Sequence, residues 1–408
     1  MLHLTDNLDI SAQSIRAHKL RSSLTMVGLT MGVATLITVM TLIQGANTYV
    51  EQKIANLGTN VFQIGRIPFA ATDFQEIIKA LRHKYLTLDD MRTVAAGCPS
   101  CQIVGADANT SVTAHYHDRE LQDTNLIGQT PSMGDIETRT IEQGRYFTEV
   151  EDQRSSYVCL IGSRVVEEFF PRTDPLGRAI HLGAQEFVII GTYERIGSVL
   201  GQEQDNFAVI PFRTYQKVRG GRFSVVLHVK AAGGDRVFQQ AQDEARTVLR
   251  GRRHIRGEEP EDFFIGTAQS YIALWQSISS AFFAVFVMVS SIAAVVGGIV
   301  IMNVMLVTVT ERTKEIGVRR AVGASQGDVL RQFLTESVVM CLLGGAVGVA
   351  LGFLAAELIR RLTDFPVSVQ TWVAVLGMAL SSVIGLFFGI YPAVRAARLD
   401  PVAALRAE

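Results

Sequence analysis

The sequence is poor in charge, in cysteine and in the short motifs that mark enzymes. Charged residues are 19% of the 408 and nearly cancel, leaving a formal net charge of -1, so there is no basic field of the kind that draws nucleic acid. It contains no G-x-x-x-x-G-K-[ST], and therefore no backbone cradle and lysine for nucleotide phosphates. H-E-x-x-H and a paired Cys-x-x-Cys array are also missing, which leaves no recognisable zincin or structural zinc site. The four cysteines, Cys98, Cys101, Cys159 and Cys341, are too few for a disulfide scaffold.

What the chain has instead is apolar residues, 48% of the total, gathered in blocks. A membrane span needs about 20 of them in a helix rising about 1.5 Å per residue. Four stretches contain no charge: Ser22 to Val50, Phe263 to Thr310, Ser337 to Ala356 and Phe365 to Val394. The spans are predicted at 23–45, 280–308, 334–357 and 371–393. Helical character continues beyond two of them. The first runs on toward Gly58, about 50 Å from Leu24 to Leu57, and the second starts near Gln269. Two helices that leave the bilayer as a stalk account for this, and strong tilt is the alternative.

Arg and Lys in the short flanks set the orientation. They comprise Arg16, Lys19 and Arg21 before the first span, Arg312, Lys314, Arg319, Arg320 and Arg331 after the second, and Arg395, Arg398 and Arg406 in the tail. Only Arg360 and Arg361 lie between the third and fourth spans. Both termini are expected in the cytoplasm of a multi-pass inner-membrane protein, with residues 46–278 outside. Glycines at four-residue spacing (Gly28 and Gly32; Gly344, Gly348 and Gly352; Gly385 and Gly389) predict close helix packing. Asn303, polar within the second span, is expected to find a partner inside the bundle.

The fold class expected is an α-helical bundle of four spans plus an α+β extracytoplasmic domain over 58–268. VFQIG, a helix capped by Thr87 with Asp90, and CQIVGAD form one half of a unit; FSVVLHVKA, a helix from Asp235, and FFIGTA form the other. Two such halves, 58–108 and 220–268, predict a ferredoxin-like lobe. The insertion, 109–219, alternates as strands (SVTAHYH, RELQDTNLIG, YVCLIGS), with a short helix from Arg164 to Phe170. A hairpin turning at Gly183 completes a mostly β distal lobe.

Smaller features admit more than one reading. Cys98 and Cys101 allow a local disulfide, free thiols, or a redox or metal site. His115 and His117 fall on one face of the strand SVTAHYH, which suits a metal, but without a third ligand an exposed strand face is the simpler reading. Glu336 and Glu357 bracket the third span as interfacial charges. In the loop ERTKEIGVRRAVGASQGDVLRQFLTES, Gly323 ends a short amphipathic helix and Ser325 with Asp328 caps the next.

NVMLVTVTERTKEIGVRRAVGAS and QFLTESVVMCLLGGAVGVALG resemble the permease signature of the MacB/FtsX superfamily, the type VII ABC transporters. RAHKLRSSLTMVGLTMGV, NLGTNVFQIG and FGIYPAVRAARLDPVAALRAE are similar to the same family's ends. The resemblance implies a cytoplasmic N-terminal amphipathic segment (1–22), a first span with stalk (23–57), a MacB-like periplasmic core domain (58–268), a stalk with the second span (269–310), a coupling loop (311–333), a tail (394–408) and an FtsX-like permease region (280–401). It implies that Glu311, Arg312, Lys314, Glu315, Ile316, Arg319 and Arg320 contact an ATPase dimer that binds ATP and magnesium, with no cofactor in this chain. MacB carries its ATPase fused in front, whereas only some twenty residues precede the first span here, so a split system is expected. Further partners implied are a second permease protomer, identical or not, membrane lipids, and a periplasmic adaptor with an outer-membrane channel. The function expected is mechanotransmission for efflux or export. The rivals are a scaffold that activates an extracytoplasmic enzyme, and a lipoprotein-extracting permease.

Overall fold

The computed structural model describes residues 19–55, 60–69, 74–199, 202–363, 367–368 and 370–406. Arg16 and Gly58, the latter expected to end the first helix, lie outside them. Contacts group the chain into two units. One comprises the described residues up to Tyr49 and from Ser277 onward, the other Val50–Gln276.

The first unit is helical. Helix α1 is Lys19–Ala55. Labelling only the longer helices and those of the cytoplasmic loop and tail, α2 is Leu88–Gly97 and α3 is Asp235–Arg252 (both in the second unit), α4 Ala268–Glu311, α5 Thr313–Ala321, α6 Gln326–Thr363, α7 Thr371–Ala397 and α8 Pro401–Arg406. Helices α1, α4, α6 and α7 carry the four membrane-span candidates. In hydrocarbon an uncharged run must satisfy its own backbone, which only helix formation achieves within one segment.

Packing among these helices follows the glycines. A methyl group at Gly28 would lie 3.3 Å from the Gly297 α carbon, so α1 and α4 approach backbone to backbone. Gly344, Gly348 and Gly352 seat α6 on α1. There the Thr30 hydroxyl donates to the Gly344 carbonyl and that of Thr38 to the Gly352 carbonyl, each at 3.1 Å. Gly385 and Gly389 admit Cys341 and Ser337 of α6 against α7. Such contacts, with side chain to backbone hydrogen bonds worth about 0.6–2 kcal/mol each, replace the hydrophobic driving force that lipid removes. All three glycine stripes are thus used within one chain. Asn303, by contrast, is exposed on α4. Its expected partner inside the bundle is not there, because the inward stripe of α4 runs through Gly297, Ile301, Met305, Thr308 and Val309.

The second unit is built on a ten-stranded sheet. Its strands are β1 Val61–Gly65, β2 Cys101–Tyr116, β3 Arg119–Gln129, β4 Ile141–Gly144, β5 Val158–Ile161, β6 Ala179–Leu182, β7 Gln185–Tyr193, β10 Phe207–Pro211, β11 Val226–Ala231 and β12 Phe264–Thr267; β8 Ser198–Val199 and β9 Gln202–Glu203 pair separately. The order β12-β1-β11-β2 is antiparallel throughout. With α2 and α3 covering one face this is the ferredoxin-like arrangement: Val94, Ala241, Ala245 and Leu249 pack with Phe62, Ile64, Ala106 and Leu227 in one buried core.

SVTAHYH is not a separate strand. It is the far end of β2, a single strand of 16 residues that the two lobes share. Nothing between Asp107 and Ser111 supplies a turn, and a bulge between Val112 and Ala114 bends the strand instead. Beyond it β3, β10, β5, β7 and β4 complete the distal part, and β6 bridges β2 and β7. The hairpin β6–β7 does turn at Gly183, whose φ is +64°. His117 is not on the face of His115: it sits in the following turn with φ +52°.

Candidate functional site

Helix α5 follows α4 with only Arg312 between them. It ends as the sequence requires. Gly323 takes φ +107°, and the Ser325 hydroxyl accepts from the Asp328 N–H while the Asp328 carboxylate accepts from the Ser325 N–H, starting α6.

The underside of this nine-residue helix is fully engaged. Ile316 is 3% exposed and belongs to the bundle core with Phe333, Ala396 and Ala397. Gly317 faces α8, where a methyl group would come 2.8 Å from the Ala404 Cβ. Arg320 Nη1 donates to the carbonyl oxygens of Ala397 (2.9 Å), the last residue of α7, and of Leu399 (2.8 Å) just beyond it. Arg319 Nη1 donates to Gln332 Oε1 at 2.8 Å, and its other nitrogen pairs with Glu315. Arg312 Nη1 lies 3.7 Å from Glu336 Oε2.

The outer side is exposed and mixed in character. Val318 is 50% and Val322 86% exposed, with Glu311, Lys314 and Glu315 exposed beside them. Two of the expected contact residues are therefore corrected. Ile316 and Arg320 are taken up by α6, α7 and α8, because the apolar pattern of α5 has two sides and the more hydrophobic one is claimed by the bundle. The valines at i,i+4 on the other side, apolar among the charges of the sequence, are not in the expected contact set. Glu336, expected as an interfacial charge, is 1% exposed and buried against Arg312.

In the second unit, Cys98 and Cys101 form a disulfide with Cα atoms 5.3 Å apart. It closes the turn from α2 into β2, and Glu244 of α3 accepts from the Ser100 N–H (2.9 Å) and hydroxyl (3.0 Å) within that turn. His115 stands beside Glu120, and among the described residues no group of three or more His, Cys, Asp or Glu is placed to hold a metal ion.

Four helices long and apolar enough to cross a membrane, with a sheet domain between the first two and a short helix between the second and third, define the class as a polytopic membrane protein. Residues 22–248 match the family described as MacB-like periplasmic core domain, and 287–401 the FtsX-like permease C-terminal family. The chain belongs to the MacB- and FtsX-like ABC transporter permeases. It is 30% identical over 407 residues to the uncharacterized ABC transporter permease YknZ of Bacillus subtilis, covering all of both chains. It is 32% identical over 413 residues to the macrolide export ATP-binding/permease protein MacB of Bdellovibrio bacteriovorus, covering 99% of this chain and 62% of that protein. The chain thus spans under two thirds of the MacB relatives' length. Among solved structures, the periplasmic region of MacB from Actinobacillus actinomycetemcomitans is 21% identical with a TM-score of 0.44, over 56% of this chain and 97% of that one. The extracellular domain of YknZ is also 21% identical, with a TM-score of 0.40, over 50% and 99%.

Proposed function

We propose that this chain is the permease half of a split ABC transporter, in which a separate ATPase dimer grips α5 and drives motion that is used outside the membrane for efflux or export. The observation that carries this reading is the division of α5 into an engaged underside and an exposed outer face of Lys314, Glu315 and Val318, continued by Val322 just past its end. A short helix held from below on three neighbours transmits force. Apolar residues ringed by both charge signs suit a groove with a hydrophobic floor and a charged rim.

The arginines and lysines flanking the spans support an orientation with α5 and both termini in the cytoplasm. The disulfide between Cys98 and Cys101 supports the same orientation independently, since disulfides persist in oxidising compartments. MacB relatives are named for macrolide export. For this chain the reading extends to outward transport as a class, with a second permease protomer completing the complex.

Val318→Asp combined with Val322→Asp tests it. The double variant is expected to insert and fold normally and to lose co-purification of the ATPase from native membranes. Retained co-purification, or labelling of a Val322→Cys variant by a membrane-impermeant thiol reagent from outside, overturns the proposal.

A further inference from the structure

Among the described residues of the bundle, Glu336 is the one acid that is buried. It lies about three turns into α6, in a helix otherwise apolar enough to span a bilayer. A buried carboxylate contributes less to stability than a well-packed apolar side chain of the same size. Its presence therefore calls for a reason other than stability.

The contacts around it supply one. Glu336 faces Arg312, and Gln332, one turn away and 6% exposed, accepts from Arg319. Arg312 precedes the first turn of α5 and Arg319 lies in its last, so both ends of α5 are pinned to neighbouring turns of one helix. Apart from the hold of Arg320 on backbone carbonyls, the remaining underside, Ile316 in the core and Gly317 on Ala404, is apolar and directionless. Such a surface holds α5 down but lets it slide. Hydrogen bonds and ion pairs with fixed partners set its register.

We propose that Glu336 and Gln332 are positioning residues: a latch that converts displacement of α5 into displacement of α6. This rests on the ATPase-coupling reading above and names the residues through which that coupling passes. Helix α6 is continuous for 38 residues to Thr363, so a shift at Glu336 reaches the opposite end of the span. The hold of Arg320 on α7 uses backbone carbonyls, which leaves the α6 contacts as the link that side-chain chemistry can tune.

The test uses the complex of the full chain with its ATPase in lipid nanodiscs, with a nitroxide on Leu362→Cys at the far end of α6, where the side chain is 75% exposed. Cys159 and Cys341 are buried, and Cys98 and Cys101 are bonded to each other, so the label goes to the new thiol. Trapping the complex with ATP and vanadate is expected to change the label's mobility in the otherwise unaltered chain. Glu336→Gln with Gln332→Ala is expected to keep ATPase assembly and hydrolysis but lose that change. Gln332→Glu with Glu336 unaltered, which keeps an acceptor for each arginine, is expected to retain it. A full mobility change in the Glu336→Gln, Gln332→Ala chain overturns the proposal, as does loss of the change in the Gln332→Glu chain. If the unaltered complex assembles but its label never responds, the latch alone falls. If no ATPase assembles with the unaltered chain, the coupling reading falls with it.

Discussion

The α carbon of Gly348 lies against the carbonyl oxygen of Thr30, so closely that a methyl group there would stand 2.9 Å from it and 2.9 Å from the Val33 Cβ. Both neighbours are on α1, and backbone cannot rotate aside as a side chain can. Gly348→Leu is expected to force α6 from α1 and lose the folded chain in detergent. Gly348→Ala should cost about 1–3 kcal/mol, as overpacking does. Thermal stability of the purified chain distinguishes the two, and an unchanged leucine variant would refute the packing described here.

Asp90 does more than cap α2. It is 5% exposed, closes the capping box with Thr87, and takes Arg252 Nε at 2.7 Å and Arg253 Nη1 at 3.3 Å from the end of α3. Arg253, itself buried, also pairs with Asp262 at 2.6 Å. Asp90→Ala leaves that guanidinium short of a partner and frays a helix start. The expected cost is about 3–5 kcal/mol, read as a fall in the domain's melting temperature. Asp89→Ala next to it removes only an exposed pair with Arg92 and serves as the comparison, with under about 1 kcal/mol expected.

Three buried groups make the domain's stability fall as pH rises, one of them Asp152, whose carboxyl is held above its usual range by burial. Burial disfavours a charged imidazole at His228, but the Asp107 carboxylate 3.2 Å away outweighs it and the pKa lies above its ordinary value. Burial likewise holds the Glu137 carboxyl above its usual range. The folded chain thus binds more protons than the unfolded one between the ordinary carboxylate range and beyond about pH 6.5. The His228 contribution is complete below about 6.5 and is lost as pH rises through the folded value. Glu151, held down to about 2 by Arg145, acts in the opposite sense, but only at pH values below the ordinary carboxylate range. Melting temperature is therefore expected to decline from about pH 5 to 8, and His228→Gln with Glu137→Gln to flatten that slope.

Much of this was readable in the residues. Uncharged runs longer than a bilayer is thick have one solution, and the capping pairs at Thr87 and Ser325 announce helix starts through local chemistry. The ferredoxin-like order followed from two matching halves. What was hidden depends on neighbours distant in sequence. FAVIP is an apolar run that fits a buried strand or a helix turn equally; its place between β3 and β5 is set by pairing. The continuity of β2 through both lobes is likewise a fact of pairing. The direction of α5 was hidden for a related reason. Ile316 and Val318 are both apolar, and only the positions of Phe333 and Ala404 decide which one turns inward.

Asn303 carries the last prediction. It is exposed on α4 in a stripe with Ile292, Val296, Ile299 and Val307, all of them exposed. An amide facing hydrocarbon leaves its donors and acceptors unmet, and a second amide can meet both. A second copy of α4 brings one. Two such helices meeting along this stripe would pair Asn303 with its counterpart and fix their register, as a single polar residue does in a coiled coil. Asn303→Leu is then expected to weaken association of two copies by about 1–2 kcal/mol, roughly a five- to thirtyfold shift in the dimer equilibrium. An Asn303→Cys chain is expected to crosslink to itself under mild oxidation. Resonance energy transfer between labelled copies in lipid measures the first. Unchanged transfer together with absent crosslinking would place the stripe against lipid instead.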